Sequence, residues 1–386
     1  MRLSRLGRSL ALPGGSRQRM ELNKKKTRCG RLPGLCERLN SWYFERWTVE
    51  FLPMEYQRNL GFAIVGCGLI GQRRASTLPP GSLKYACDLD DERARRLAAT
   101  TTNCTHTADL EMVLHDPEVN AIIVATANAA LAPITLRAVR AGKHVLVEKP
   151  AGIRSAELAE IDWAAASSGA LVRIGYNHRF HPGFRKAYQL REEEDLGEVM
   201  FVRGRYGHGG RVGYEREWRM DSRISGGGEL IDQGVHLIDL AHSFLGESRT
   251  VEGHAATYFW EAAVDDNAFL SLRTAGGQTA WLQVSCTEWK NLFSFEIYFK
   301  RAKLHVEGLG GSYGLERLYY YKMLPEMGPP ETVVYEFPRG DTSWALELNE
   351  FLEDIRLNRT PIPGLREGRR VLEVVERIYE KSGYRF

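Results

Sequence analysis

Lys149 follows the apolar run HVLVE and precedes Pro150, so its amine stands at the carboxyl tip of a buried strand. Ligands of doubly wound sheets bind beyond that edge. A lysine there can hydrogen-bond a substrate hydroxyl and favour its alkoxide as hydride leaves. Standing alone, it is as readily a solvated surface group. A second run, Gly226-Gly227-Gly228-Glu229-Leu230-Ile231-Asp232-Gln233-Gly234-Val235-His236, reads as three glycines opening a largely buried helix that ends at Gly246. Asp232 and His236 are four residues apart and share a helix face, where they can meet one ligand. Unpartnered, each would cost about 1–3 kcal/mol in such an apolar helix; a substrate hydroxyl would satisfy both. Imidazole, with an ordinary pKa of about 6.5, suits a general base at neutral pH. The plain alternative is a satisfied core histidine, against which the three glycines weigh, because glycine lets a ligand approach the backbone.

A cofactor site is written upstream. The run FAIVG leads into Gly66-Cys67-Gly68-Leu69-Ile70-Gly71, a helical stretch follows, and Asp88 ends the next strand, LKYACD, 22 residues after Gly66. A lone glycine loop is a weak signal, but this one follows a strand, opens a helix and is answered by an acid at a second strand tip. Gly66 allows the tight turn, Gly68 lets the backbone approach a pyrophosphate, and Gly71 lets helix and strand pack closely. The helix start at Leu69 and Ile70 offers amides to the phosphates. Asp88 would hold both ribose hydroxyls of NAD and repel a 2′-phosphate; Arg93 and Arg95 keep NADP open. Thr126, Asn128, Glu148 and Lys149, at the ends of two later strands, complete the expected cofactor contacts.

Between these places lie polar groups that could recognise a substrate or serve as inter-domain ion pairs. Tyr176, Asn177, His178 and Arg179 follow the strand RIGY, and Trp218 and Arg219 precede the glycines, with Arg205, Tyr206 and His208 a less certain group. The arginines at 179, 205, 211, 219 and 223 hint at an anionic substrate group such as a carboxylate or diphosphate. A metal site built from Asp232, His236 and His242 finds no supporting H-E-x-x-H pattern, so no metal is expected.

The elements that must position these residues follow from pattern. The length of 386 residues suits two domains, and 43% hydrophobic with 26% charged residues excludes a disordered or disulfide-scaffold chain. Residues 1–58 hold 13 basic against 5 acidic residues, leaving 39 against 44 in the remainder. The basicity therefore belongs to the leader, and the body has no general case for binding nucleic acid or a membrane surface. No apolar stretch reaches the roughly 18 residues of a membrane span. The six cysteines lack C-x-x-C pairing, which points to reduced thiols in a soluble, cytoplasmic protein. Residues 1–57 read as a disordered leader or a mis-assigned start, with Met54 placed as a natural initiator would be.

Residues 58–175 alternate strand and helix, with AIIVAT and HVLVE as continuous apolar strands, and so predict a Rossmann doubly wound parallel sheet. Residues 176–386 carry eight strand-like runs, from VMFVRGRYG to TVVYEFP, with Gly276-Gly277 as a hairpin turn. With no long helices between them, the second domain is an α/β unit on a large open, mainly antiparallel sheet. Helices from Trp344 to Leu357 and from Glu367 to Lys381 close the chain. One face of so wide a sheet lacks helices to cover it, which predicts a homodimer or homotetramer.

The stretches GFAIVGCGLIG, AGKHVLVEKP, RIGYNHRF and GGGELIDQGVHLIDL together resemble the Gfo/Idh/MocA oxidoreductases, from about Gly61 to the C-terminus. E-K-P combined with D-x-x-x-H is more specific than the glycine loop. The resemblance implies NAD(P)-dependent hydride transfer at a secondary alcohol of a sugar, cyclic polyol or nucleotide sugar. It implies that Lys149 is the family lysine, commonly before a cis proline, and that Asp232 and His236 are the substrate-binding acid and catalytic histidine. It also implies oligomers built through the C-terminal sheet. One departure is the run Thr126-Ala127-Asn128-Ala129-Ala130-Leu131, which lacks the proline and histidine members often have there. Two alternatives stand: a non-catalytic dinucleotide sensor, and a sugar–sugar oxidoreductase with a tightly held cofactor.

Overall fold

The computed structural model describes residues 60–385, so the leader, its initiator and its two cysteines lie outside the described residues. Short, mostly buried strands alternate with helices along the first part. These are β1 (Phe62–Val65), α1 (Leu69–Ala75), β2 (Leu83–Cys87), α2 (Asp91–Ala98), β3 (Thr105–Thr107), α3 (Leu110–His115), β4 (Ala121–Val124), α4 (Asn128–Arg140), β5 (His144–Glu148), α5 (Ser155–Ser168) and β6 (Val172–Gly175). The runs FAIV and AIIV are buried on both faces, as strands covered by helices on either side must be. The strands pair in parallel in the order β3-β2-β1-β4-β5-β6. That order reverses between β1 and β4, and the crevice at this switch point is where an open sheet of this type binds its ligand.

After α6 (Pro182–Glu193) the chain changes period. An eight-stranded sheet forms from β7 (Val199–Gly207), β8 (Ser248–Ala256), β9 (Asn267–Thr274), β10 (Thr279–Ser285), β11 (Leu292–Phe299), β12 (Ala302–Glu307), β13 (Glu316–Lys322) and β14 (Glu331–Phe337). Its order is β14-β13-β12-β11-β7-β10-β9-β8, antiparallel except for the β7–β10 pair. All eight sequence-read strands are present, and β9 and β10 are joined at Gly276-Gly277. One face buries Val202, Leu282, Ile297 and Leu304, packed by α6 and by α7 (Val235–Leu245). The opposite face carries the cross-strand row Ser271, Trp281, Arg203, Glu296, His305, Tyr319 and Val334.

Two C-terminal helices return to the first sheet. From α8 (Ser343–Leu357), Leu348, Phe351 and Leu352 share one core with Phe62 and Ile64 of β1. The second, α9 (Leu365–Ser382), packs on α5 and β8 and so ties the two sheets together. Two features correct the sequence reading. The helix after the glycines is not uniform, because Leu230–Gly234 winds as a π-helix before α7 begins. The three glycines make room for the protein's own chain: a Cβ on Gly226, Gly227 or Gly228 would meet Ile153, the Tyr379 hydroxyl or the Asp265 backbone oxygen within 2.5 Å.

Candidate active site

At the switch point the glycine loop divides its labour by position. Gly66 has φ +96° and Gly71 lies against the Gly66 carbonyl, so a Cβ at either would collide with backbone; at Gly68 nothing lies within 4 Å. The open side of Gly68 is the cradle a pyrophosphate requires, and Gly68 caps α1 without a side chain that would occupy the first amides. Asp88 accepts the Cys67 N–H at 2.7 Å on one oxygen and the Asp90 N–H at 2.9 Å on the other, leaving lone pairs for a diol. Arg93 is paired with Asp90 at 3.0 Å and Arg95 with Glu92, so the two cations that favoured a 2′-phosphate already face acids. These residues fit a non-phosphorylated dinucleotide.

A cavity of about 380 Å³ is lined by Ile70 and Arg73 of α1 and by Tyr206 of the second sheet. Ile70, Thr126, Asn128, Glu148, Lys149, Asp232 and His236 all line it. Lys149 stands at the tip of β5, next to a cis Lys149-Pro150 bond. Its neighbour Glu148 is fixed by Arg74 at 2.6 Å, and the wholly buried Arg74 also meets Glu347 of α8 at 2.7 Å. The strand tip is thereby clamped from two elements. The Lys149 ammonium donates to Asp232 twice, to the backbone oxygen at 2.6 Å and to Oδ1 at 2.7 Å. An ammonium has three N–H donors, so one remains for a ligand. Arg219 donates to the other Asp232 oxygen at 3.1 Å. Burial alone would raise the Asp232 pKa; Lys149 and Arg219 overcome it and hold the carboxyl well below its usual range.

His236 is 4% exposed and its Nδ1 has no hydrogen-bond partner. Burial and the Lys149 charge, opposed by Asp232, put its pKa well below the ordinary imidazole value, so the ring is neutral and able to accept a proton. His178 lies parallel on it, with ring centroids 3.8 Å apart.

The other predicted residues separate. Asn177, Trp218 and Arg219 line the cavity, whereas Tyr176 and Arg179 stand outside its lining. Tyr176 is fully buried edge-on to His236, and Arg179 turns away to a bidentate pair with Asp239, 2.7 Å on both arms. Asn128 gives its amide to the Ser225 carbonyl at 2.8 Å. Of the arginines that hinted at an anionic ligand, Arg219 lines the cavity, whereas Arg205 meets Glu288, Arg211 meets Glu217 and Arg223 meets Asp221, all apart from its lining. His242 bonds Ser248 instead of joining Asp232 and His236. Sequence reasoning missed His181, the turn Leu309–Tyr313, Asp341 and Trp344, which complete the wall. The glycines around 308–314 were the one visible signal for that turn.

Residues 60–176 match the model of the oxidoreductase family with an NAD-binding Rossmann fold, and residues 184–305 match the GFO/IDH/MocA C-terminal domain. Together the two matches span more than half of the chain, which belongs to the Gfo/Idh/MocA family. Levoglucosan dehydrogenase of Pseudarthrobacter phenanthrenivorans is 25% identical over 233 residues, 57% of this chain and 60% of that protein. The aligned stretch thus spans under two thirds of that relative. The scyllo-inositol 2-dehydrogenase (NAD(+)) of Bacillus subtilis is 26% identical over 321 residues, 80% of this chain and 89% of that one. A solved structure of levoglucosan dehydrogenase in complex with NADH and levoglucosan shares the fold, with a TM-score of 0.74 at 20% identity over 84% of this chain and 97% of that one.

Proposed function

We propose that this chain is an NAD-dependent dehydrogenase that moves a hydride between nicotinamide and a secondary alcohol, or its ketone, on a sugar, cyclic polyol or nucleotide sugar. The observation that carries the reading is that Lys149, Asp232 and His236 line one cavity together with Ile70, which opens the helix after the glycine loop. Gly66, Gly68, Gly71 and Asp88 would hold the dinucleotide, which supplies the hydride acceptor. His236, neutral, takes the hydroxyl proton. The remaining Lys149 N–H meets the developing alkoxide, an interaction that can contribute roughly 3–4 kcal/mol in a water-poor site. Asp232 fixes the ammonium and a neighbouring substrate hydroxyl.

The domains of the reading are a cofactor domain at 58–175 and a substrate and assembly domain at 176–386. Free thiols at Cys67, Cys87, Cys104 and Cys286 support a reducing, cytoplasmic setting, and no helix among the described residues is long and apolar enough to cross a membrane. The test is absorbance of NADH on incubation with NAD and a panel of sugars, inositols and nucleotide sugars. Lys149→Met should lower turnover by orders of magnitude at saturating NAD; wild-type turnover in that variant would remove the mechanism.

A further inference from the structure

We propose that Glu347, on the C-terminal helix α8, is a positioning residue of this site: acting through Arg74 and Glu148, its ionised form favours the oxidised, cationic nicotinamide over the reduced, neutral one. The inference rests on the dehydrogenase reading and adds a residue to it. Two carboxylates share one guanidinium here. Arg74 of α1 donates from Nε to Glu148 at 2.7 Å and lies 2.7 Å from Glu347, and Arg74 and Glu347 are both wholly buried. The two contacts are unequal. Glu148 receives an aligned hydrogen bond, whereas both Glu347 oxygens are buried without a hydrogen-bond partner. With both acids ionised the group carries a surplus negative charge; with Glu347 protonated it carries none. A low-dielectric interior resists the first state. Burial, opposed by Arg74 and reinforced by Glu148, pushes the Glu347 carboxyl up to about 7.

Of the two acids, Glu148 lines the cavity and Glu347 does not. Trp344, one helical turn before Glu347, also lines it and lays its ring 4.4 Å from the guanidinium carbon of Arg74. How much negative charge Glu148 presents there depends on how much of Arg74 it keeps. When Glu347 ionises it claims part of the guanidinium, and Glu148 faces the cavity less fully neutralised. A cationic ring in that cavity is stabilised by the exposed charge, and a neutral ring is not. The other charged groups on the elements around Glu347 are already engaged. Arg173 of β6 donates from Nε to the buried Asp354 at 3.0 Å, and on α8 itself Glu350 faces Arg359 at 2.6 Å. On the turn Asn177–Phe180, which packs on α8, Arg179 is taken by Asp239, and burial keeps His178 neutral. His181 stands 3.1 Å from Glu316, and Arg73 of α1 stands 2.9 Å from Asp341.

Calorimetric titration of the wild-type chain with NAD and with NADH, from about pH 5.5 to about pH 8.5, reads the coupling without turnover. NAD should tighten relative to NADH by about fivefold or more as pH rises through 7, the low end of an ordinary coupling between two sites. NAD selects the ionised carboxyl, so at pH 7 its binding should release up to about half a proton, and binding of NADH should not. Repeating the titration in buffers of different ionisation enthalpy counts those protons. Glu347→Gln keeps the shape of the side chain and cannot ionise, so its NAD-to-NADH preference should stay flat over the same range. A flat preference in the wild-type chain, or a rise that persists in the Gln variant, overturns the proposal. If the Gln variant does not fold, the proton count on the wild-type chain decides: NAD binding that releases no more protons than NADH binding overturns it. Once NAD is bound Glu347 titrates lower, so the effect is read on cofactor binding and not on turnover with NAD saturating. NADH formation with the sugar panel is measured separately. The coupling without turnover would fail the dehydrogenase reading and leave the role of Glu347 in cofactor binding standing; turnover with a flat preference would do the reverse.

Discussion

His236 sits between opposing influences: burial and the Lys149 ammonium lower its pKa, and Asp232 raises it. The balance is a strong lowering, so the proton-accepting form persists below the ordinary imidazole value of about 6.5. Activity that needs neutral His236 is therefore kept as pH falls through 6.5 and lost only at lower pH. A kcat/KM profile should show its acid limb below pH 6.5, and a limb centred at or above that value contradicts the assignment of His236 as base. Lys149, Asp232 and His236 were legible in the sequence because a strand tip and a four-residue helix spacing fix where they point. Arg179 was not. It follows the same strand as Asn177 and His178, but the 3-10 turn Asn177–Phe180 sends those two to the cavity and Arg179 to Asp239, 60 residues away. A one-residue difference on a tight turn decides between binding and packing, and no periodicity reports it.

The β1–α1 connection separates folding from binding within six residues. A Cβ at Gly71 would lie 1.9 Å from the Gly66 carbonyl oxygen, whereas one at Gly68 meets nothing. Gly71→Ala should therefore lower the thermal midpoint by several degrees or abolish folding, since backbone must move to admit the methyl. Gly68→Ala should melt within about 2 °C of wild type and lose NAD affinity, because its methyl fills the pyrophosphate cradle. Differential scanning fluorimetry with and without NAD measures both, and a Gly68→Ala protein that binds NAD like wild type contradicts the cradle. Strands with clear apolar runs were legible at this scale. Strand β3, only Thr105-His106-Thr107 and largely exposed, was not, and neither was the union of Leu309–Tyr313 with Trp344 at one cavity. Closures between distant segments leave no trace in local pattern. The π-helical turn was hidden for another reason: Asp265, 33 residues downstream of Asp232, accepts the Gly228 and Leu230 amides and so shapes the helix start.

At the scale of the whole molecule, the two sheets differ in how their faces are covered. Both faces of the parallel sheet pack helices, the second set including α8 from the far end of the chain, whereas the large sheet packs helices on one face. Its other face holds Trp281 at 58% exposure and Phe201 at 39%, with Phe201 stacked on Tyr298 at 4.2 Å and Arg203 beside Glu296. Aromatic side chains mixed with arginine, on the face of an eight-stranded sheet, form the composition of an interface core. A second copy of the same sheet presents the same mixture, and a two-fold contact would set Arg203 and Glu296 of one copy against their counterparts. The chain should therefore sediment as a dimer or larger at micromolar concentration. Trp281→Glu, which puts a charge in the middle of that face and touches no cavity-lining residue named above, should shift the species toward monomer while the fold survives. A wild-type chain that sediments as a monomer across that concentration range would leave the open face without the partner its composition demands.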